Sequence, residues 1–311
     1  MENRIAFDFR SLAKLITKIE NDRAGSEELL MDLYKESPET TVIGITGPPG
    51  AGKSSLTDRI IAEYRALGKT VGVVAVDPSS PFTGGAILGD RIRMCDHSTD
   101  PGVFIRSMGS RGSLGGLAPA TIDVLNLMKS AGFDVLIVET VGVGQSEIDV
   151  MSIADTVLLV LVPGMGDDVQ ALKAGIMEIA DIFVINKADK DGKERLAAEI
   201  NMIIQLNRHR LAWEPPVVET VATENKGISM LMDRISERSV WLKNNGVQVK
   251  RDKMLNQFKH MALDRIGANI LAILNEGGMF TRWISELESG KSNPYRAMKE
   301  LIENLKIKWG K

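Results

Sequence analysis

Residues 47–54 read Gly-Pro-Pro-Gly-Ala-Gly-Lys-Ser and fit the pattern G-x-x-x-x-G-K-[ST]. No other stretch constrains the fold as strongly. Glycines at Gly47, Gly50 and Gly52 let successive backbone N–H groups turn inward without Cβ clashes, and a helix opening near Ser54 adds its positive end. Such a loop belongs between a strand and a helix. Upstream, TVIGIT over 41–46 is an apolar strand-type run; downstream, Leu56, Ile60 and Ile61 begin a helical spacing. The predicted result is a cradle for a nucleoside triphosphate. Gly47, Pro48, Pro49, Gly50, Ala51, Gly52 and Ser55 surround the phosphates. Lys53 reaches the β/γ-phosphates, and the Ser54 hydroxyl ligates Mg²⁺.

Strand-like runs continue from Thr41 to about Val221: TVIGIT, TVGVVAVD, VFIRSM, FDVLIVET, TVLLVLVP, IFVINK and PVVETVA. They are rich in Val and Ile with little polar alternation, as in a parallel sheet covered by helices on both faces. Helix candidates lie between them at 54–67, 117–131, 168–179 and 191–209. The predicted fold class is a doubly wound, mostly parallel α/β domain over 41–245, whose ligands bind at the carboxyl ends of its strands. Residues 1–40 read as a helical extension, with Leu12, Leu15, Ile16 and Ile19 on one stripe. Residues 246–311 carry no strand-like run and read as a helical segment, with short helices around 279–288 and 294–307.

Composition narrows the partners. The chain of 311 residues carries a formal net charge of -3, which offers no electrostatic footprint for nucleic acid or an anionic membrane. One cysteine, Cys95, excludes an intrachain disulfide, and three histidines make a dedicated Cys/His metal cage hard to assemble. Cys95-Asp96-His97 is at best a ligand pair; a structural cysteine beside a polar loop is the plainer reading. The first residues, MENRIAFDFR, hold no apolar signal core, and no run approaches the roughly 20 apolar residues of a membrane span, so a cytoplasmic location is expected.

Asn186-Lys187-Ala188-Asp189 ends the run DIFVIN and selects the base. The Asp189 carboxylate can accept from N1–H and the 2-amino group of guanine, whereas adenine would leave it unpaired. Asn186 would pin the loop, and the Lys187 stem would cover the ring. Ala222, Thr223 and Glu224, after PVVETV, would offer backbone N–H groups to the guanine oxygen. Glu139, closing FDVLIVE, is placed to hold Mg²⁺ directly or through water, and Gly142 to donate to the γ-phosphate. Asp77 and Asp90 are further acids at or after a strand end. Three carboxylates exceed what Mg²⁺ takes directly, so some act through water or orient the attacking water. Gln145 is an alternative for that role. Arg91, Arg93, Arg106 and Arg111 lie in glycine-rich loops; one near the γ-phosphate would stabilise transition-state charge, although a solvated loop arginine is the plainer reading for any one of them.

In this order, GPPGAGKSS, AVDPSSPFTGGAILGDRIRM, RSMGSRGSLGGLA, VETVGVGQSEIDV, VPGMGDDVQALKAGI and NKAD closely resemble the MeaB/ArgK family. These are GTPase chaperones of adenosylcobalamin-dependent acyl-CoA mutases, chiefly methylmalonyl-CoA mutase. The resemblance is specific over about 40–230 and looser at both helical ends. It implies GTP hydrolysis, Mg²⁺ positions at Ser54, Asp77, Asp90 and Glu139, and a second switch at 139–147. It also implies a third switch at 164–173, with Asp167, Asp168 and Lys173, and a homodimer formed through the C-terminal helices. Alternatives are a nickel-insertion GTPase, which the scarcity of Cys and His disfavours, and a GTP-dependent kinase, for which no phosphoacceptor site is evident. A pure scaffold would not need Lys53, Ser54 and Glu139 together.

Overall fold

The computed structural model describes residues 8–21, 24–34, 39–77, 97, 99–109, 120–140, 150, 153–164, 180–276 and 278–309. Within them lie strands β1 (Thr41–Thr46), β2 (Val71–Asp77), β3 (Val103–Gly109), β4 (Val135–Thr140), β5 (Thr156–Leu161), β6 (Ile182–Asn186) and β7 (Val217–Thr220). The helices are α1 (Phe9–Asn21), α2 (Glu27–Tyr34), α3 (Lys53–Ala66), α4 (Ala120–Ser130), α5 (Lys193–Asn207), α6 (Ile228–Asn245), α7 (Val247–Glu276), α8 (Met279–Glu288) and α9 (Pro294–Trp309). Every sequence-predicted strand run overlaps one of these strands. The helix expected at 168–179 and residues 117–119 lie outside the described residues.

The strands form one sheet in the order β3-β2-β4-β1-β5-β6-β7. Every strand pairing in it is parallel. Central β1 sets Ile45 opposite Glu139 of β4 and Thr46 opposite Leu159 of β5. The chain leaves β1 toward β2 on one side and leaves β5 toward β6 on the other. Diverging crossovers of this kind open a crevice at the carboxyl ends of the central strands.

Two-residue alternation divides the core. Ile43, Ile45, Val73, Ile137, Leu158 and Val184 point to one face and pack against Leu56, Ile60 and Ile61 of α3 and Ile228, Leu231 and Ile235 of α6. Val42, Val74, Leu136, Val138 and Val157 point to the other, against Leu12, Ile16 and Ile19 of α1 and Val124, Leu127 and Met128 of α4. A third cluster joins Leu159, Leu161, Phe183 and Ile185 to Leu196, Ile200 and Ile204 of α5. Both faces being covered, β4 and β5 are buried along their whole length. Each fully buried Val, Leu or Ile side chain contributes about 1.5–3 kcal/mol before conformational entropy is counted.

Helix ends follow local chemistry. Asp8 caps α1 by accepting from the Ser11 amide at 2.9 Å and the Ser11 hydroxyl at 2.6 Å. Those bonds favour its ionised form and hold the carboxyl below its ordinary range. Asn293 caps α9 through the Arg296 amide at 3.0 Å, with Pro294 in the first helical position.

The chain divides into two compact units, residues 1–253 and 254–311, so the boundary falls inside α7. The first unit contains the sheet. The second has its own small core of Leu274, Trp283, Ala297 and Leu301, with Ile270 against it. Leu255, Phe258, Leu263, Leu271, Phe280 and Tyr295 of that unit are at least half exposed. Among the described residues no helix is long and apolar enough to cross a membrane.

Candidate nucleotide site

The loop after β1 is shaped by what surrounds it. Gly47 adopts φ 141°, and a Cβ there would lie 2.1 Å from the Val160 carbonyl oxygen. Gly52 is left-handed at φ 86°, and a Cβ would lie 2.4 Å from Asn186 Nδ2. Only glycine gives both the backbone conformation and the clearance. Helix α3 starts at Lys53, and the Leu56 amide makes its first internal bond, to the Gly52 carbonyl at 3.0 Å. The amides of Lys53, Ser54 and Ser55 therefore stand ahead of the helix ladder, at its positive end.

The Lys53 ammonium folds over the loop, donating to the carbonyls of Gly47 at 2.8 Å and Pro48 at 3.1 Å. Next to it the Ser54 hydroxyl donates to Glu139 Oε1 at 2.6 Å, and the Thr57 hydroxyl lies 2.8 Å from Glu139 Oε2. Lys53, Ser54, Thr57 and Glu139 are all at least nine-tenths buried. At that depth the Glu139 carboxyl group is satisfied by hydroxyls. Thr140 donates to Thr46 at 2.9 Å, tying the ends of β4 and β1 beside this group. A hydroxyl and a carboxylate in contact at the cradle's mouth are the hard oxygen donors that Mg²⁺ takes.

Asn186 is the hinge pin of the base side. Its amide donates to the Ala51 carbonyl at 2.9 Å, while its oxygen accepts from Thr220 Oγ1 and the Ala222 amide, each at 3.2 Å. One side chain thus ties the phosphate loop, β7 and the turn after β7 together. Lys187, left-handed at φ 55°, reaches across to the Gly50 carbonyl at 2.9 Å. Asp189 is exposed in the turn that follows. Of the three amides expected to face a guanine oxygen, two are engaged by the protein: Ala222 with Asn186, and Glu224 with the Val221 carbonyl at 2.9 Å. The Glu224 side chain pairs with Lys226 at 2.6 Å and holds that ammonium above its ordinary range.

Arg106 belongs elsewhere. It lies on β3 and pairs with Glu20 of α1, with Thr17 as a second partner at 3.2 Å, so a contact to the nucleotide is replaced by one to the N-terminal helix. His97 meets Asp58 at 3.2 Å, and among the described residues no group of three or more His, Cys, Asp or Glu is placed to hold a metal. Asp77 ends β2. Its side chain, and Asp90, Arg91, Arg93, Cys95, Arg111, Gly142, Gln145, Asp167, Asp168 and Lys173, lie outside the described residues. Thr57 and Arg59 were not anticipated. Thr57 is four residues after Lys53 on the same helical face as Ser54, a spacing that points to Glu139 only once β4 is known to adjoin β1. Arg59 donates to the Ala222 carbonyl at 3.1 Å and secures the turn after β7.

A family model described as "Methylmalonyl Co-A mutase-associated GTPase MeaB" matches residues 12–274. A Pyrococcus abyssi protein named as a GTPase is 50% identical over 302 residues, spanning 96% of this chain and 93% of its own. The GTPase ArgK of Escherichia coli is 33% identical over 309 residues, spanning 96% and 93%. A crystal structure titled as an LAO/AO transport system kinase superposes with a TM-score of 0.68 at 27% identity, covering 96% of this chain and 94% of that one. With its phosphate loop, seven-stranded parallel sheet and this match across most of its length, the chain belongs to the MeaB family and is a GTP hydrolase.

Proposed function

We propose that this GTPase binds Mg²⁺–GTP in the cradle of residues 47–55 and couples its hydrolysis to the loading and protection of an adenosylcobalamin-dependent acyl-CoA mutase. The observation that carries the client is the extent of the family match. It runs from residue 12 to 274, beyond the nucleotide core into both helical ends. A relative of Mus musculus named methylmalonic aciduria type A homolog, 33% identical over 318 residues, supports the same direction.

In the proposed mechanism, Lys53 exchanges its two loop carbonyls for β- and γ-phosphate oxygens, since bonds to an anion are the stronger ones. Ser54 and Glu139, the latter steadied by Thr57, would hold Mg²⁺ directly or through water. Mg²⁺, when bound, neutralises the phosphate charge. Asp77 and Asp90 complete the acidic set, and Gly142 donates its amide to the γ-phosphate, so phosphate loss releases the segment after β4. Asn186, Lys187 and Asp189 hold guanine, with the Thr223 amide near its oxygen, since those of Ala222 and Glu224 are engaged by the protein. The exposed apolar side chains of the second unit support its role as the surface that joins two copies.

GTP turnover by the purified protein, measured with and without methylmalonyl-CoA mutase, tests the client. An increase of about tenfold or more is expected, in line with GTPases whose partner completes the site. Equal rates with and without the mutase would overturn that assignment while leaving the GTPase untouched.

A further inference from the structure

At the opposite edge of the sheet, where β1, β4 and β5 begin, the first unit encloses a cleft of about 700 Å³. That is within the usual size of a small-molecule site. Tyr64, Met232 and Leu242 supply part of an apolar wall, and Lys129, Lys253 and Asp155 face the interior. Nothing in the hydrolysis of GTP uses these groups.

The charges do not balance. Behind the cleft, Arg238 pairs with Asp181 at 2.6 Å and lies against the tilted rings of Trp213 and Trp241, 5.2 and 4.5 Å from their centroids. Asp181 also accepts from the Val157 amide and Asp155 from the Val42 amide, each at 2.9 Å. Lys253 donates to the Ala154 carbonyl. Among the described residues, the Lys129 ammonium forms no hydrogen bond or ion pair, and Asp155 acts on it only at longer range. At the rim Lys69 pairs with Asp134 and Lys243 with Glu39, each at 3.7 Å, while Lys250 and Asp233 are exposed. Three cations therefore share two carboxylates in a half-buried cluster. Burial pushes Lys129 and Lys253 below the ordinary lysine value, and the neighbouring Asp155 only partly restores them. A bound anion would offset that penalty by direct attraction.

The geometry points to a second ligand site in this cleft, separate from the phosphate loop, for a small amphiphilic anion. Its phosphate- or carboxylate-type head sits at Lys129 and Lys253, and a short apolar body lies along Met232 and Leu242.

Calorimetric titration of hexyl phosphate into the full chain saturated with Mg²⁺–GDP tests this, because the occupied phosphate loop cannot take the probe. One site per chain is expected. Binding should weaken about tenfold or more in Lys129→Gln and in Lys253→Gln, the loss of one charge-assisted contact, and should persist in Lys129→Arg. GDP affinity, unchanged in each variant, reports that the fold is intact. Three outcomes would each overturn the site: no heat with hexyl phosphate, binding undiminished in the Lys129→Gln/Lys253→Gln double variant, or hexanol binding as tightly as hexyl phosphate.

Discussion

Lys53 spends its charge on the carbonyls of its own loop, which identifies what a phosphate must displace. Lys53→Ala should lower GTP turnover by about 10²-fold or more, the scale of one lost charge-stabilising donor, with far-UV circular dichroism unchanged; retained turnover would refute the role. Asp189→Asn should move preference from GTP toward xanthosine triphosphate, because an amide donates where xanthine carries an oxygen. Competition binding with both nucleotides checks it. Thr57→Val keeps the shape and removes a donor lying 2.8 Å from Glu139. The Mg²⁺ needed for half-maximal turnover should rise several-fold, and an unchanged requirement would mean that Thr57 serves the helix alone. Arg65 is far from this chemistry. It holds the Asp100 carboxylate in two bonds of 2.9 Å, chief among the causes that keep this carboxyl below its ordinary range. A carboxyl depressed by folding stabilises fully above its unfolded value, about 3.9, and loses that contribution as pH falls through the folded one. The urea midpoints of Arg65→Met and the parent chain should therefore differ at pH 7 and converge toward pH 2.

At the scale of elements, the phosphate loop is held by its neighbours as well as by its own bonds. β5 presses the Val160 carbonyl against Gly47, and β6 ends in the Asn186 amide that grips Ala51. Gly47→Ala would force a Cβ to 2.1 Å from backbone at a φ of 141°. The loss should be about 2–4 kcal/mol, seen as a lower unfolding midpoint together with lost GTP binding. Sequence pattern made the loop, the strand before it and the helix after it legible because each rests on local preference. Thr57 and Arg59 were not legible, since their partners, Glu139 and Ala222, are 82 and 163 residues away in the chain. Arg106 shows the converse. Its glycine-rich neighbourhood suggested a loop arginine, solvated or else beside phosphate, whereas β3 carries it to Glu20 on α1.

For the whole molecule, the two units carry different duties in the proposed function. A fragment of residues 1–253 keeps the sheet and all three of its clusters. It should bind GDP with unchanged affinity and run as a monomer in light scattering, whereas the full chain should run as a dimer. A dimeric fragment would place the joining surface in the first unit. By itself the sequence determined the α/β class and the strand–glycine loop–helix of the phosphate cradle, and it suggested the tetrapeptide proposed to read the base, because Val- and Ile-rich runs, glycine turns and a lysine at a helix start are written within a few residues of one another. Only the tertiary structure decided that Thr57 joins Ser54 at Glu139, that one asparagine ties three segments together, and that lysines from α4 and α7 share a cleft where the central strands begin. Those contacts depend on strand order, and strand order is set by how side chains pack across the sheet, a property that no short stretch of chain contains.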